Sequence, residues 1–167
     1  LASTGLVAAF ELGIPSDGAS PADVEHWIRA VGEGCHLPQL VKLPLEGAAE
    51  MAEVVATTPA DALIIAGPPL GAALSPPTGA VVSGYLYGPA VHSLVLEVVH
   101  TIAGLADLPL VAVGGIHTVA DAEAYLQTGA SAVQLDSLLF VDPQMAGEIA
   151  VKLSAGYEVN RPPDMSL

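Results

Sequence analysis

An α/β fold built of parallel βα units, of the (β/α)-barrel type, is what the sequence predicts, and three observations predict it. Five short apolar runs, 6–12, 39–43, 61–66, 109–113 and 131–135, alternate with longer segments of helical spacing. Hydrophobic residues make up 52% of the chain but aromatics only 4%, so Ala, Val and Leu must fill the interior, which suits parallel strands covered by helices. At 167 residues the chain is one domain's worth, long enough for a core. An open doubly wound sheet and part of an eight-unit barrel both fit the alternation. A full barrel takes about 250 residues, and the chain opens at Leu1, without an initiator Met, almost directly on an apolar strand. A first strand without a neighbour leaves an edge exposed. The expectation is therefore an incomplete barrel, about five of eight βα units, forming the C-terminal portion of a longer one. An oligomer or a complex would complete it. Residues 1–155 are assigned to this domain and 156–167 to an irregular tail.

The elements follow in order. After the first strand, Ser20 followed by Pro21 gives an N-cap and an N1 proline for a helix over 21–34. Strand 39–43 leads to a helix over 46–57, where Met51, Val54 and Val55 share a face and Glu46, Glu50 and Glu53 lie outside. Strand 61–66 is followed by a long Gly- and Pro-rich connection, 67–89, read as a functional loop. Val91, Leu94, Val95, Val98 and Ile102 form the apolar stripe of a helix over 90–104. Strand 109–113 precedes a helix over 119–128, capped by Thr118 with Asp121 as an imperfect capping box. After strand 131–135, a last helix over 143–155 closes the series.

The formal charge of −14, from 18 acidic residues against Arg29, Lys42, Lys152 and Arg161, disfavours nucleic acid and anionic membranes as partners. The pair Pro68 and Pro69 breaks the longest apolar run, so no membrane span is expected. Cys35, the single cysteine, excludes an internal disulfide and a cysteine-rich metal site. His92 and His100 lie too far apart on one helix to share a metal, and no metal is expected. A reducing, cytoplasmic setting and a small-molecule substrate are the expectations.

Barrel enzymes place their sites at the C-terminal ends of the strands, with phosphate favoured at the last two loops. Lys42 ends its strand and would face such a cleft as one of very few cations; pairing with Glu11 or Glu46 is its plainer role. Gly114 and Gly115 end the fourth strand where a helix begins, so an anion could approach their backbone. Asp136 ends the fifth strand, as a carboxylate opposing such an anion or as a cap for nearby amides. His117 could reach a phosphate or serve the surface and the cap. Tyr85 and Tyr87 could flank a ring.

The order of several segments is more specific than any one of them. "LPQLVKLP" at 37–44, "YGPAVHSLVL" at 87–96, "LPLVAVGGIHTVADAEAYLQTGASAVQL" at 108–135 and "FVDP" at 140–143 resemble, in this order, the C-terminal five βα units of dihydroorotate dehydrogenases. The match covers about residues 7 to 153. That family comprises FMN-dependent barrels of pyrimidine synthesis that oxidise dihydroorotate to orotate. The resemblance implies an FMN cofactor, and it implies roles by position. Lys42 would contact the flavin's polar edge, and Gly88 would lie along the ribityl-phosphate. Gly114 and Gly115 would cradle the phosphate, with Asp136 and Ser137 standing where a Gly-Thr pair completes the cup.

The departures concern the substrate. The family's Asn-x-Ser-Cys-Pro-Asn, with Cys or Ser as base, is represented here by "GIPSDG": Gly13 replaces the first Asn, Ser16 falls at the base position and Gly18 replaces the second Asn. Gly67 and Pro68 replace a later Asn-Thr pair. Ser16 is the candidate base, against its plainer role in a Pro-Ser-Asp-Gly turn. The expectation is a dihydroorotate dehydrogenase-like scaffold with an altered substrate site. The alternatives are a catalytically inactive paralogue serving as a structural or binding subunit, and another phosphate-binding barrel enzyme such as an isomerase or lyase.

Overall fold

The structure, a computed structural model, describes residues 6–16 and 18–159, with side chains through residue 155. Five parallel strands form one sheet in sequential order: β1 (Phe10–Gly13), β2 (Gln39–Pro44), β3 (Ala62–Gly67), β6 (Leu110–Val113) and β7 (Ala132–Gln134). The helices α1 (Pro21–Gly34), α2 (Ala48–Val55), α3 (His92–Ala103), α4 (Val119–Thr128) and α6 (Pro143–Val159) return the chain between and after them. Each of these helices touches the next, α1 to α2, α2 to α3, α3 to α4 and α4 to α6. A doubly wound sheet splits its helices between two faces and reverses its strand order at a switch point; neither feature occurs among the described residues. The fold is a (β/α)-barrel arc.

The curl of the sheet supports the same conclusion. β1 and β7 lie at opposite edges, and in a flat sheet four strand spacings would hold them roughly 19 Å apart. Yet Gln134 Nε2 on β7 donates to Glu11 Oε2 on β1 at 3.2 Å. Only a strongly curved sheet lets those side chains meet across its concave face.

Alternation along each strand divides the two faces. Val41 and Leu43 of β2, Leu63 and Ile65 of β3 and Ala112 of β6 are fully buried under the helices. They pack with Val24 and Ile28 of α1, Val55 of α2, Val95, Val99 and Ile102 of α3, and Tyr125 of α4. Each Val, Leu or Ile side chain among them contributes about 1.5–3 kcal/mol relative to exposure. The alternate residues Glu11 and Lys42 lie on the concave face with Gln134.

Several expectations need correction. The first strand begins at Phe10, not at 6, because its ladder extends only over Phe10↔Gln39 to Gly13↔Lys42. The connection 67–89, expected as irregular loop, holds an antiparallel hairpin, β4 (Leu70–Leu74) and β5 (Val81–Tyr85). Its turn closes where Thr78 and Gly79 donate to the Ser75 carbonyl and Gly79 adopts φ +64°. A further short helix, α5 (Leu138–Val141), precedes α6. Helix α6 runs through Val159, so residues 156–159 are helical where an irregular tail was expected from 156. A lone glycine at 156 costs a helix about 1 kcal/mol without ending it. The rest of that tail, 160–167, lies outside the described residues.

Candidate functional site

The C-terminal ends of β6 and β7 open onto a cleft of about 720 Å³ lined by Tyr87, Gly88, Pro89, His117, Asp136, Ser137, Leu139, Phe140 and Val141. Its polar corner is built from three neighbouring groups. Asp136 Oδ1 accepts the Ser137 amide at 2.5 Å and the Ser137 hydroxyl at 3.2 Å. Ser137 Oγ also lies 3.4 Å from His117 Nε2. The carboxylate has thus taken the backbone donor at the strand end. The remaining walls are apolar: Tyr87 and Pro89 on one side and the α5 residues on the other, with Phe140 92% exposed.

His117 is held by the cap of α4. Its amide and that of Thr118 donate to Asp121 Oδ2 at 3.0 and 2.8 Å, while the Asp121 amide donates to Thr118 Oγ1 at 3.2 Å. The capping box is complete in both directions. Burial works to raise the Asp121 pKa, but the hydrogen bonds from His117 and Thr118, helped by the nearby His92, outweigh it and leave the carboxyl below its ordinary 3.8.

The glycine pair sits beside this cleft and is occupied by packing. Gly115, at φ +68°, lies under the start of α3: an added Cβ would meet the His92 backbone nitrogen at 2.4 Å. Gly114, at φ +127°, would place a Cβ 3.2 Å from Val95 Cγ2. The buried Tyr125 hydroxyl locks the junction, donating to the Gly114 carbonyl at 2.8 Å and reaching the His92 carbonyl at 3.2 Å. Burial first, then the charges of Asp121 and Asp136, push the Tyr125 pKa up, so the phenol keeps the proton it donates. His92 stacks obliquely on this ring at 4.6 Å and bonds the Asp121 carbonyl through Nε2 at 3.1 Å.

Lys42 lies elsewhere, on the concave face of the sheet. Its ammonium pairs with Glu11 Oε1 at 3.2 Å and reaches Gln134 Oε1 at 3.5 Å. Glu11 is the partner, not Glu46. Ser16 stands in an exposed turn after β1, away from the cleft lining.

The structure therefore brings together Gly88, Asp136 and Ser137, with Tyr87 and His117. Lys42, Gly114, Gly115 and Ser16 do not line the cleft. Sequence reasoning missed Gln134, although a polar residue in the apolar run "SAVQL" marks an inward position. It also missed the wall Leu139–Val141, hidden in the continuation of "DSLLFV", and Tyr125, whose polar tip sits in the apolar stripe of α4. Among the described residues, no group of three or more His, Cys, Asp or Glu side chains could hold a metal ion. No helix among them is long and apolar enough to cross a membrane.

Comparison with known proteins agrees with this fold. The family model described as dihydroorotate dehydrogenase matches residues 20–156. The chain is similar to the dihydroorotate dehydrogenase B (NAD(+)), catalytic subunit, of Geobacter sulfurreducens, 35% identical over 142 residues, covering 81% of this chain and 47% of that protein. The protein of the same name from Geobacter metallireducens is 34% identical over 149 residues, 86% of this chain and 48% of the relative. That from Bacillus thuringiensis is 29% identical over 144 residues, 83% and 47%. The chain spans about half the length of the curated relatives it matches. It belongs to the dihydroorotate dehydrogenase family.

Proposed function

We propose that this chain carries the ligand face of a dihydroorotate dehydrogenase-like oxidoreductase scaffold whose substrate site and FMN-phosphate cup are altered. The observation that carries the reading is Asp136, whose carboxylate accepts the Ser137 amide at the end of β7. Where family resemblance implies a cup of free amides, this chain offers an acceptor. The residues present do not fit a phosphate group there. Lys42, which the resemblance places at the flavin's polar edge, is engaged by Glu11 and Gln134.

The substrate side supports the same reading. Gly13, Gly18 and Gly67 stand where the resemblance implies amide side chains for orotate, and Ser16 has none of those neighbours. Each lost hydrogen bond to a buried polar ligand costs about 1–3 kcal/mol. With three such losses, dihydroorotate oxidation in the presence of added FMN and an artificial electron acceptor should fall at least about a hundredfold below that of a relative assayed in parallel. A rate within about tenfold of the relative would overturn the reading.

A second reading, a structural or binding subunit of a larger complex, is favoured by one specific feature. The stretch from Ala62 to Leu96 contains no Asp, Glu, Lys or Arg, and its hairpin exposes Leu70, Leu74, Val81, Val82 and Tyr85. The relatives named above are themselves called catalytic subunits. A native mass equal to the chain alone would count against this second reading; a stable hetero-complex without turnover would support it.

A further inference from the structure

The polar corner of the cleft has a charge pattern of its own. Asp136 presents a carboxylate, Ser137 a hydroxyl and His117 an imidazole nitrogen, and the rest of the lining is Gly88 and the apolar or aromatic side chains of Tyr87, Pro89, Leu139, Phe140 and Val141. Among the described residues no lysine or arginine lines it. Arg29 is paired with Glu25 at 2.9 Å on α1, and Lys42 with Glu11 on the concave face. The helix start that could lend partial positive charge is the four-residue α5, and Asp136 already holds the amide of its cap residue, Ser137.

Two acceptors seeking one N–H lie within roughly 4 Å of each other. A phosphate brought to the Ser137 amide would therefore stand against the Asp136 carboxylate. That repulsion amounts to about a thousandfold in affinity per charge pair at an effective dielectric near 20. A hydroxyl at the same place meets acceptors instead, in the carboxylate and the serine oxygen, beside an imidazole nitrogen that donates or accepts according to its tautomer. A ring system finds the apolar walls.

We propose that this cleft selects an uncharged, hydroxyl-bearing ring ligand and rejects its phosphate ester, so that it takes riboflavin in preference to FMN. The inference rests on the reading of the chain as a flavin-type scaffold and adds the ligand class. Asp136 is the specificity-determining residue, and Asp136→Asn removes its charge while keeping an oxygen for the Ser137 amide.

The test is equilibrium titration of riboflavin and of FMN, by quenching of flavin fluorescence, against the wild-type protein and Asp136→Asn. Wild type should bind riboflavin at least about tenfold more tightly than FMN. The substitution should raise FMN affinity about a hundredfold or more while riboflavin changes less than about threefold. The wild-type ratio stands as a test even if the variant does not fold. Millimolar inorganic phosphate should leave riboflavin bound to the wild type. FMN binding as tightly as riboflavin to the wild type, or a folded variant with the wild-type ratio, would overturn the inference while leaving the scaffold reading intact. Binding of neither flavin by either protein would likewise overturn the inference, while agreeing with an altered FMN-phosphate cup.

Discussion

An added Cβ at Gly115 would stand 2.4 Å from the His92 amide nitrogen and 2.8 Å from its Cα, both backbone atoms that cannot swing aside. The residue is also at φ +68°, where an L side chain is strained. Gly115→Ala should therefore cost about 3 kcal/mol, the sum of overpacking and backbone strain, read as a lower midpoint in urea unfolding. Tyr125→Phe removes only the hydroxyl that joins the Gly114 and His92 carbonyls. It should cost about 1–2 kcal/mol by the same measurement. Both residues hold the end of β6 against the start of α3. In the sequence, a glycine pair after a strand and before a helix carries the same letters whether or not a helix packs on it. Here α3 fills the space a Cβ would need at both positions, and no spacing rule could have shown that. Lys42 was different: a strand-end cation with few others in the chain was legible, and its partner was narrowed to Glu11 or Glu46, of which the structure has Glu11.

At the scale of elements, the caps were the most legible features because their chemistry is local. Ser20 with Asp23, and Thr118 with Asp121, both form capping boxes with bonds in both directions. Thr118→Ala should lower stability by about 1 kcal/mol. Asp121 also gives a pH dependence. Its folded-state pKa is depressed below the ordinary 3.8, so its contribution is present above that value and is lost as pH falls below it toward the lower folded pKa. Asp121→Asn should flatten the acid side of the stability profile, measured by urea unfolding at a series of pH values, without adding any slope near neutrality. The hairpin was not legible. β4 and β5 read "LGAAL" and "VVSGY", without the alternation of apolar and charged residues that marks a half-buried strand. Both strands are exposed, so no core face imposed a pattern. The turn "SPPTG" between them was the one available signal.

At the scale of the molecule, the five strands and the α/β class followed from alternation of apolar runs, which reflects burial against helices and is written along the chain. The barrel arc was expected from chain length, the apolar first strand and the order of the resembling segments rather than from alternation, which fits an open sheet equally. The structure shows it in the curl that lets Gln134 and Glu11 meet from opposite edges of the sheet. The cleft was legible in part: Gly88, Asp136 and Ser137 were named from their positions, whereas the wall at Leu139–Val141 and the role of His117 beside Ser137 depend on how α5 folds back. The central claim is that a family scaffold carries a ligand face no longer suited to the family's phosphorylated flavin. Intact native mass, taken with the visible absorbance and the identity of any flavin released, on protein purified from its natural source, tests this most directly. The account predicts a native particle with no FMN. One FMN per chain, retained through purification, would contradict it.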